Sequence, residues 1–268
     1  MHIEMEKILQ TSFDPRDIHL VLIGHQDKIL DYRILLEMLR FNFSFSDKIW
    51  ITVVYNGDPN GLPSGIGENT FILLKENSGY ACGALDGFNA GLSFAAAAHR
   101  PIVLIFNFDV WFYTENGFKL LVEEFIESGK QFGAGYIPDL SLPMTDCMIF
   151  RKEFLRKILP IEDSILSLRE NDLKLKEMYK GTQLGFKNME EWMLSSIVKT
   201  MKDDKELSDK TVDDIWYKFQ RDGAPRYRYT EKYNLTHEHD SEERKKMLKK
   251  FNVKNGVIIT KFLNGEFG

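Results

Sequence analysis

The residues best placed to do chemistry lie at the end of an apolar run, Arg100-Pro-Ile-Val-Leu-Ile-Phe-Asn-Phe-Asp-Val-Trp-Phe112. Residues 102–106 have the composition of a strand covered on both faces, as in the middle of a parallel sheet. Asn107 and Asp109 follow, two positions apart. If the strand persists through them, both side chains project to one side at the carboxyl edge, where open α/β sheets bind ligands. A carboxylate there is costly to desolvate without a cation to face, and a divalent metal carrying a diphosphate is the natural candidate.

Other polar residues also fall just after expected strands. Gly24 and His25 close Ile18–Ile23, Asn56-Gly57-Asp58 close Ile49–Tyr55, and Asn77 follows Thr70–Leu74. In a parallel sheet these loops share one edge, so residues from 24 to 109 converge on a single crevice. Each of them alone is better explained by turn chemistry, since Asn, Asp and Gly favour turns, and it is their convergence that points to a site.

The elements that must position them alternate in type. Amphipathic helices are expected over 29–41 and over Glu115–Ser128, the latter with Thr114 as N-cap and Gly129 beyond its end. A small-residue helix is expected from Gly83 to Ala98, suited to close packing on a sheet. Strands over 132–137 and 145–150 and a helix over 151–159, stopped by Pro160, complete the first part. Such alternation implies βαβ units and a mainly parallel α/β sheet. After residue 160 the expected elements are a charged helix over 162–179, a helix over 188–201, a polar link over 202–210 with few reasons to be rigid, an edge strand at 226–229 and a basic helix over 241–251.

Bulk properties set limits. A chain of 268 residues, 43% apolar and 28% charged, has room for one large α/β domain and a small appendage. A net charge of −5 gives no global attraction to nucleic acid, so none is expected as partner. Cys82 and Cys147 form no disulfide framework, the amino terminus lacks a signal-like apolar core, and no segment reaches the roughly 18 apolar residues of a membrane span. A cytoplasmic protein is expected.

The chain resembles the GT-A glycosyltransferases, most closely the inverting family 2. The resemblance is carried by Ile18 to His25, by Val53-Val-Tyr-Asn-Gly-Asp58, by the segment from Glu76 to Gly91 and by Asn107-Phe-Asp109. It implies a GT-A (nucleotide-diphospho-sugar transferase) fold with a catalytic domain over 1–200 and a helical carboxyl-terminal extension over 201–268. It also implies a nucleoside diphosphate sugar donor, a saccharide or lipid-linked acceptor, and inversion at the anomeric carbon. Under it Gly24, His25, Asn56 and Gly83 border the nucleotide sugar, Asp58 holds base or ribose, Asn77 and Asp86 line the nucleotide pocket, and Asn107 and Asp109 form the acidic motif, with Asp109 the main metal ligand. Asn107 replaces the commoner first Asp and brings no charge. Asp86 stands where many relatives carry Arg.

A base for acceptor activation is implied at Asn188-Met-Glu-Glu-Trp192, where Glu191 matches the catalytic acid and Glu190 and Asp146 are further candidates. Glu191 equally suits a capping box with Asn188 as N-cap. His237 and His239, two apart on an extended segment, could close over a metal, for which Mn2+ or Mg2+ is expected. A polar surface turn explains them as well. The basic helix around Arg244-Lys-Lys246 could make a peripheral membrane contact or be a solvated helix with one buried stripe. Arg226 and Arg228 could meet acceptor or phosphate. The alternatives are a non-catalytic nucleotide or sugar binder on the same scaffold and a sugar-phosphate nucleotidyltransferase, although no Gly-rich basic loop follows the first strand. Dehydrogenases and P-loop proteins fit poorly, because neither GxGxxG nor GxxxxGK[ST] occurs.

Overall fold

The computed structural model describes residues 12–57, 69–74, 80–136, 143–161, 189–220 and 229–267. A seven-stranded sheet organises them, in the order β3-β2-β1-β4-β7-β6-β8. Its strands are β1 (Ile18–His25), β2 (Trp50–Asn56), β3 (Thr70–Leu74), β4 (Ile102–Asn107), β6 (Phe132–Tyr136), β7 (Pro143–Arg151) and β8 (Trp216–Gln220). β1, β2, β3 and β4 run parallel, as do β6 and β8, and β7 is antiparallel to both of its neighbours. A second, three-stranded sheet joins β5 (Trp111–Phe112), β10 (Leu235–Thr236) and β9 (Tyr229–Thr230).

Strand alternation divides the core into two layers. Leu20 and Leu22 of β1 face one cluster with residues of α1 (Ile29–Asn42) and α3 (Glu115–Glu127), while Val21 and Ile23 face the other with α2 (Tyr80–Ala97), α4 (Lys152–Ile158) and α5 (Met189–Asp203). β4 is buried from Ile102 to Phe106, which explains its unbroken apolar run. α2 lies close on the sheet, since a Cβ at Gly91 would sit 2.7 Å from Val21 Cγ1. The expected α/β class, a mainly parallel sheet flanked by helices, is the one observed.

Several expectations need correction beyond residue 200. The 202–210 segment is not a loose link: Asp204 Oδ1 accepts the Glu206 N–H at 2.9 Å, its other oxygen pairs with Lys157, and Leu207 is buried. Sequence reading also missed β8, which follows the short α6 (Val212–Ile215) and extends the main sheet beside β6. It missed α8 (Val257–Leu263), whose first turn is capped by Glu37 of α1 through the N–H groups of Ile258 and Ile259. The basic helix is α7 (Ser241–Lys250), but Arg244 is buried in it, and Lys245 and Lys246 pair with Glu242 and Glu243. Most of its positive charge is therefore neutralised locally. Among the described residues no helix is long and apolar enough to cross a membrane. The helix expected over 162–179, with Asn188, Arg226 and Arg228, lies outside the described residues.

Candidate functional site

Asp109 is held by a turn and not by a strand. β4 ends at Asn107, the Phe108 N–H still donates to Ile23 O at 3.0 Å, and the Val110 N–H donates back to Asn107 O at 3.0 Å. The condition for Asn107 and Asp109 to share a strand face is thus not met. Phe108 anchors the turn: it is fully buried and stacks on Tyr32 at 4.7 Å between ring centroids. Gly24 makes room for that ring, because a Cβ there would lie 2.1 Å from Phe108 Cδ2. Its lack of a side chain has this packing reason.

The small sheet brings the histidines to that turn. Thr236 pairs with Trp111 and Leu235 with Phe112, so the chain leaves β10 beside Val110 and Asp109. The ribbon docks on the start of α3, where the Tyr113 N–H donates to Asn234 O at 3.0 Å and Asn234 Nδ2 donates to Thr114 Oγ1 at 2.9 Å. Only glycine at 117 allows this approach, since a Cβ would fall 1.9 Å from Tyr233 O. His237 Nε2 then lies 3.3 Å from Asp109 Oδ1, and His239 Nε2 lies 3.1 Å from Asp109 Oδ2. The two imidazole Nε2 atoms are 3.0 Å apart.

Lys28 Nζ also reaches Asp109 Oδ2, at 3.2 Å, and lies 3.8 Å from Asp31 Oδ2. Arg244 pairs with Asp31, donates to Asp109 O at 3.1 Å and stacks its guanidinium 4.3 Å from the Trp111 ring centroid. Asp109 is 7% exposed. Burial pushes its carboxyl up, but hydrogen bonds from His237 and His239 and the charge of Lys28 hold it far below the ordinary range. These contacts favour Asp109 as the anion. One carboxylate oxygen and two imidazole nitrogens, all within 4.8 Å of one another, form a donor set that fits a divalent cation.

The other wall comes from β7. β6 pairs Ala134 with Met148 and then Gly135 with Met144, leaving Thr145, Asp146 and Cys147 without counterparts on that strand. Such a bulge re-aims side chains. Asp146 Oδ2 here lies 2.6 Å from His237 Nδ1, and Thr145 Oγ1 donates to Glu190 Oε1 at 3.0 Å. Burial lowers the affinity of His237 for its proton, but Asp146 and then Asp109 outweigh it and raise the imidazole to about 9. Burial pushes the Glu190 carboxyl up, and the nearby Asp146 charge adds to this, against the hydrogen bonds that favour its anion. Glu190 is half-buried, whereas Glu191 is 4% exposed on the packed face of α5.

The remaining candidates are more dispersed. His25 is half exposed and 3.6 Å from Asp27, Asn56 is buried with its Nδ2 donating to Gly83 O at 3.4 Å, and Asp86 is exposed on α2. Asn107 is half-buried at the end of β4. Asp58 and Asn77 lie outside the described residues. Asn89, in the Glu76 to Gly91 segment that carries the resemblance, is committed to structure: its amide exchanges hydrogen bonds with the backbone of Ile161 at 2.9 and 2.8 Å. Sequence reading gave Lys28, Asp31, Thr145 and Arg244 no role at this site, and placed Arg244 only on a basic helix. Lys28 and Asp31 carried a faint signal in their spacing of three at a helix entrance, whereas Arg244 gave none, its partner being 213 positions away.

No protein-family model and no curated protein matches the chain. Among solved structures it is similar to a mannosyltransferase from Pyrobaculum calidifontis in complex with GDP-Man and Mn2+, at 14% identity over 56% of this chain and 48% of that one, with a TM-score of 0.43. The chain thus spans about half the length of that protein. It is also similar to a putative nucleotide-diphospho-sugar transferase from Desulfovibrio desulfuricans, at 11% identity over 76% and 80% of the two chains and a TM-score of 0.43. A putative glucose-1-phosphate thymidylyltransferase from Bacillus anthracis is similar at 10% identity over 91% and 99%, with a TM-score of 0.45.

Proposed function

We propose that this protein is a glycosyltransferase that moves a sugar from a nucleoside diphosphate sugar to an acceptor hydroxyl, with inversion. The observation that carries this reading is the meeting of Asp109, His237 and His239 at the carboxyl edge of the parallel strands, with Glu190 linked to the same place through Thr145 and the neighbouring Asp146. Asp109, His237 and His239 would hold the cation. With two imidazoles in the set, Mn2+ is favoured over Mg2+, which prefers oxygen ligands. When bound, the ion supplies positive charge to offset that of the departing diphosphate.

The chain's own residues supply the rest. Lys28, 26% exposed beside Asp109, adds a second positive charge facing the diphosphate. Glu190 serves as base: its half-buried carboxylate can meet an acceptor, and its raised proton affinity suits a group that must take a proton near neutrality. The acceptor oxygen attacks the anomeric carbon, its proton passes to Glu190, and the bond to the diphosphate oxygen breaks. Gly24, His25, Asn56, Gly83, Asp86 and Asn107, on or near the same edge, are assigned to the nucleotide-sugar side. Glu191, in the packed face of α5, is assigned to structure.

A thermal-shift panel of UDP, GDP and dTDP with and without Mn2+ tests this, because a ligand bound only by the native state raises the melting temperature. One diphosphate should stabilise the protein with Mn2+, and Asp109→Ala should abolish that response. A panel in which no diphosphate shifts the wild-type melt, with or without Mn2+, would overturn the assignment.

A further inference from the structure

We infer that Asp146 is a positioning residue that fixes the tautomer and aim of His237, so that the imidazole presents Nε2 to the Asp109 site. The inference rests on the metal reading of that site and deepens it. Sequence resemblance left Asp146 among the candidate bases, but its Oδ2 is occupied by His237 Nδ1 at 2.6 Å, the shortest contact His237 makes to an acid. A carboxylate accepts from Nδ1–H only, since an ionised acid offers no proton in return. Asp109 also faces the ring as an acceptor, but at 3.3 Å from Nε2 against 2.6 Å for Asp146 at Nδ1, so when the ring is neutral its single proton belongs on Nδ1 and the Nε2 lone pair is turned toward the Asp109 site. A metal-binding imidazole needs that lone pair, and an acid on its far nitrogen both orients the ring and raises its basicity.

The position of Asp146 follows from backbone structure. It lies within the three residues of β7 that have no counterpart on β6, and its side chain is 6% exposed. Cys147 within the same bulge still pairs with Phe106 of β4, so the strand that carries Asp146 remains joined to the strand that leads into Asp109. The ring of His237 is thus held from β7 while its backbone comes from the ribbon beside β5. Ring and ligand turn are fastened to neighbouring strands of one sheet. A bulge spent on one aspartate is accounted for if the aspartate aims something.

Asp146→Asn keeps the shape and removes the charge, and its amide can present either an acceptor or a donor to Nδ1. Mn2+ affinity should be measured by direct titration, and the His237 tautomer by nitrogen-15 imidazole spectra of the metal-free protein above the ring's titration. Asp146→Ala should weaken Mn2+ binding by about 10–100-fold, and Asp146→Asn by less. Wild type should show the Nδ1–H tautomer and Asp146→Asn a mixture with Nε2–H. If Asp146→Ala does not fold, Asp146→Asn carries both measurements. Wild-type protein with the proton on Nε2, or Asp146→Asn with an unchanged tautomer and unchanged Mn2+ affinity, would overturn the inference. Should wild type bind no Mn2+ while the tautomer shifts as expected, the metal reading fails and the positioning role of Asp146 stands.

Discussion

Two histidines at opposite ends of the sheet are both withdrawn from water, yet their surroundings drive them in opposite directions. His19, near the start of β1, is fully buried beside Trp50 and Phe94, with Nε2 2.8 Å from Thr52 Oγ1. Burial, reinforced by Arg100, lowers it to about 4, so it stays neutral. His237 sits between two carboxylates and is raised to about 9. Burial alone neutralises a histidine, and it takes committed acids to reverse the sign. The amino edge of the sheet is core that happens to contain a polar pair, while at the carboxyl edge Asp109 is kept charged where water is scarce, and Asp146 faces the other nitrogen of His237.

The largest test of this contrast is chemical. Glu190→Gln should slow sugar transfer by about 10²–10⁴-fold with Mn2+-dependent nucleotide binding retained, whereas His19→Gln should leave turnover unchanged. Steady-state rates and thermal shifts on both variants decide it, and equal losses in the two would dissolve the distinction between the edges.

The next effect is on folding. Arg244 is buried between Asp31, Asp109 O and the Trp111 ring. Arg244→Met leaves the Asp31 charge only its longer 3.8 Å contact with Lys28 and should cost about 3 kcal/mol in denaturant unfolding. A loss below about 1 kcal/mol would place this pair with ordinary surface ion pairs.

The smallest effect sharpens the comparison directly. An unfolded histidine titrates near 6.5. For His19 the unfolded chain binds the extra proton, so stability falls as pH drops below 6.5 and the cost reaches about 3 kcal/mol once pH passes 4. For His237 the folded chain binds it, so a contribution of about 3 kcal/mol is complete below 6.5 and lost as pH rises through about 9. With chelator present, His19→Gln should flatten the acid limb of the stability profile and His237→Gln the alkaline limb. Both substitutions acting on one limb would contradict the assigned surroundings.

Much of the fold was legible because periodicity reports burial. Thr70–Leu74 is expected and observed with the same bounds, and α3 forms with Thr114 accepting from the Gly117 N–H at 3.1 Å, as its N-cap requires. β8 and α8 escaped notice because Trp216–Gln220 and Val257–Leu263 are runs of five and seven residues, too short for periodicity to separate them from the loops around them. Of the site, Asp109 and the His237/His239 pair could be singled out by type and spacing, since a carboxylate after a buried strand and two imidazoles two apart are unusual enough to notice.

What the chain alone determined was this inventory: which residues could bear charge, which runs must be buried, and that strands alternate with helices. That His237 and His239 meet Asp109 was decided in three dimensions, by a small sheet that pairs Thr236 with Trp111 over 125 positions of sequence. That Asp146 turns toward His237 was decided by a bulge, and that Arg244 is core and not surface by an acid on α1. Composition and spacing report local preferences, whereas the sign of a buried charge depends on which distant groups are delivered within a few ångströms of it, and only packing settles that.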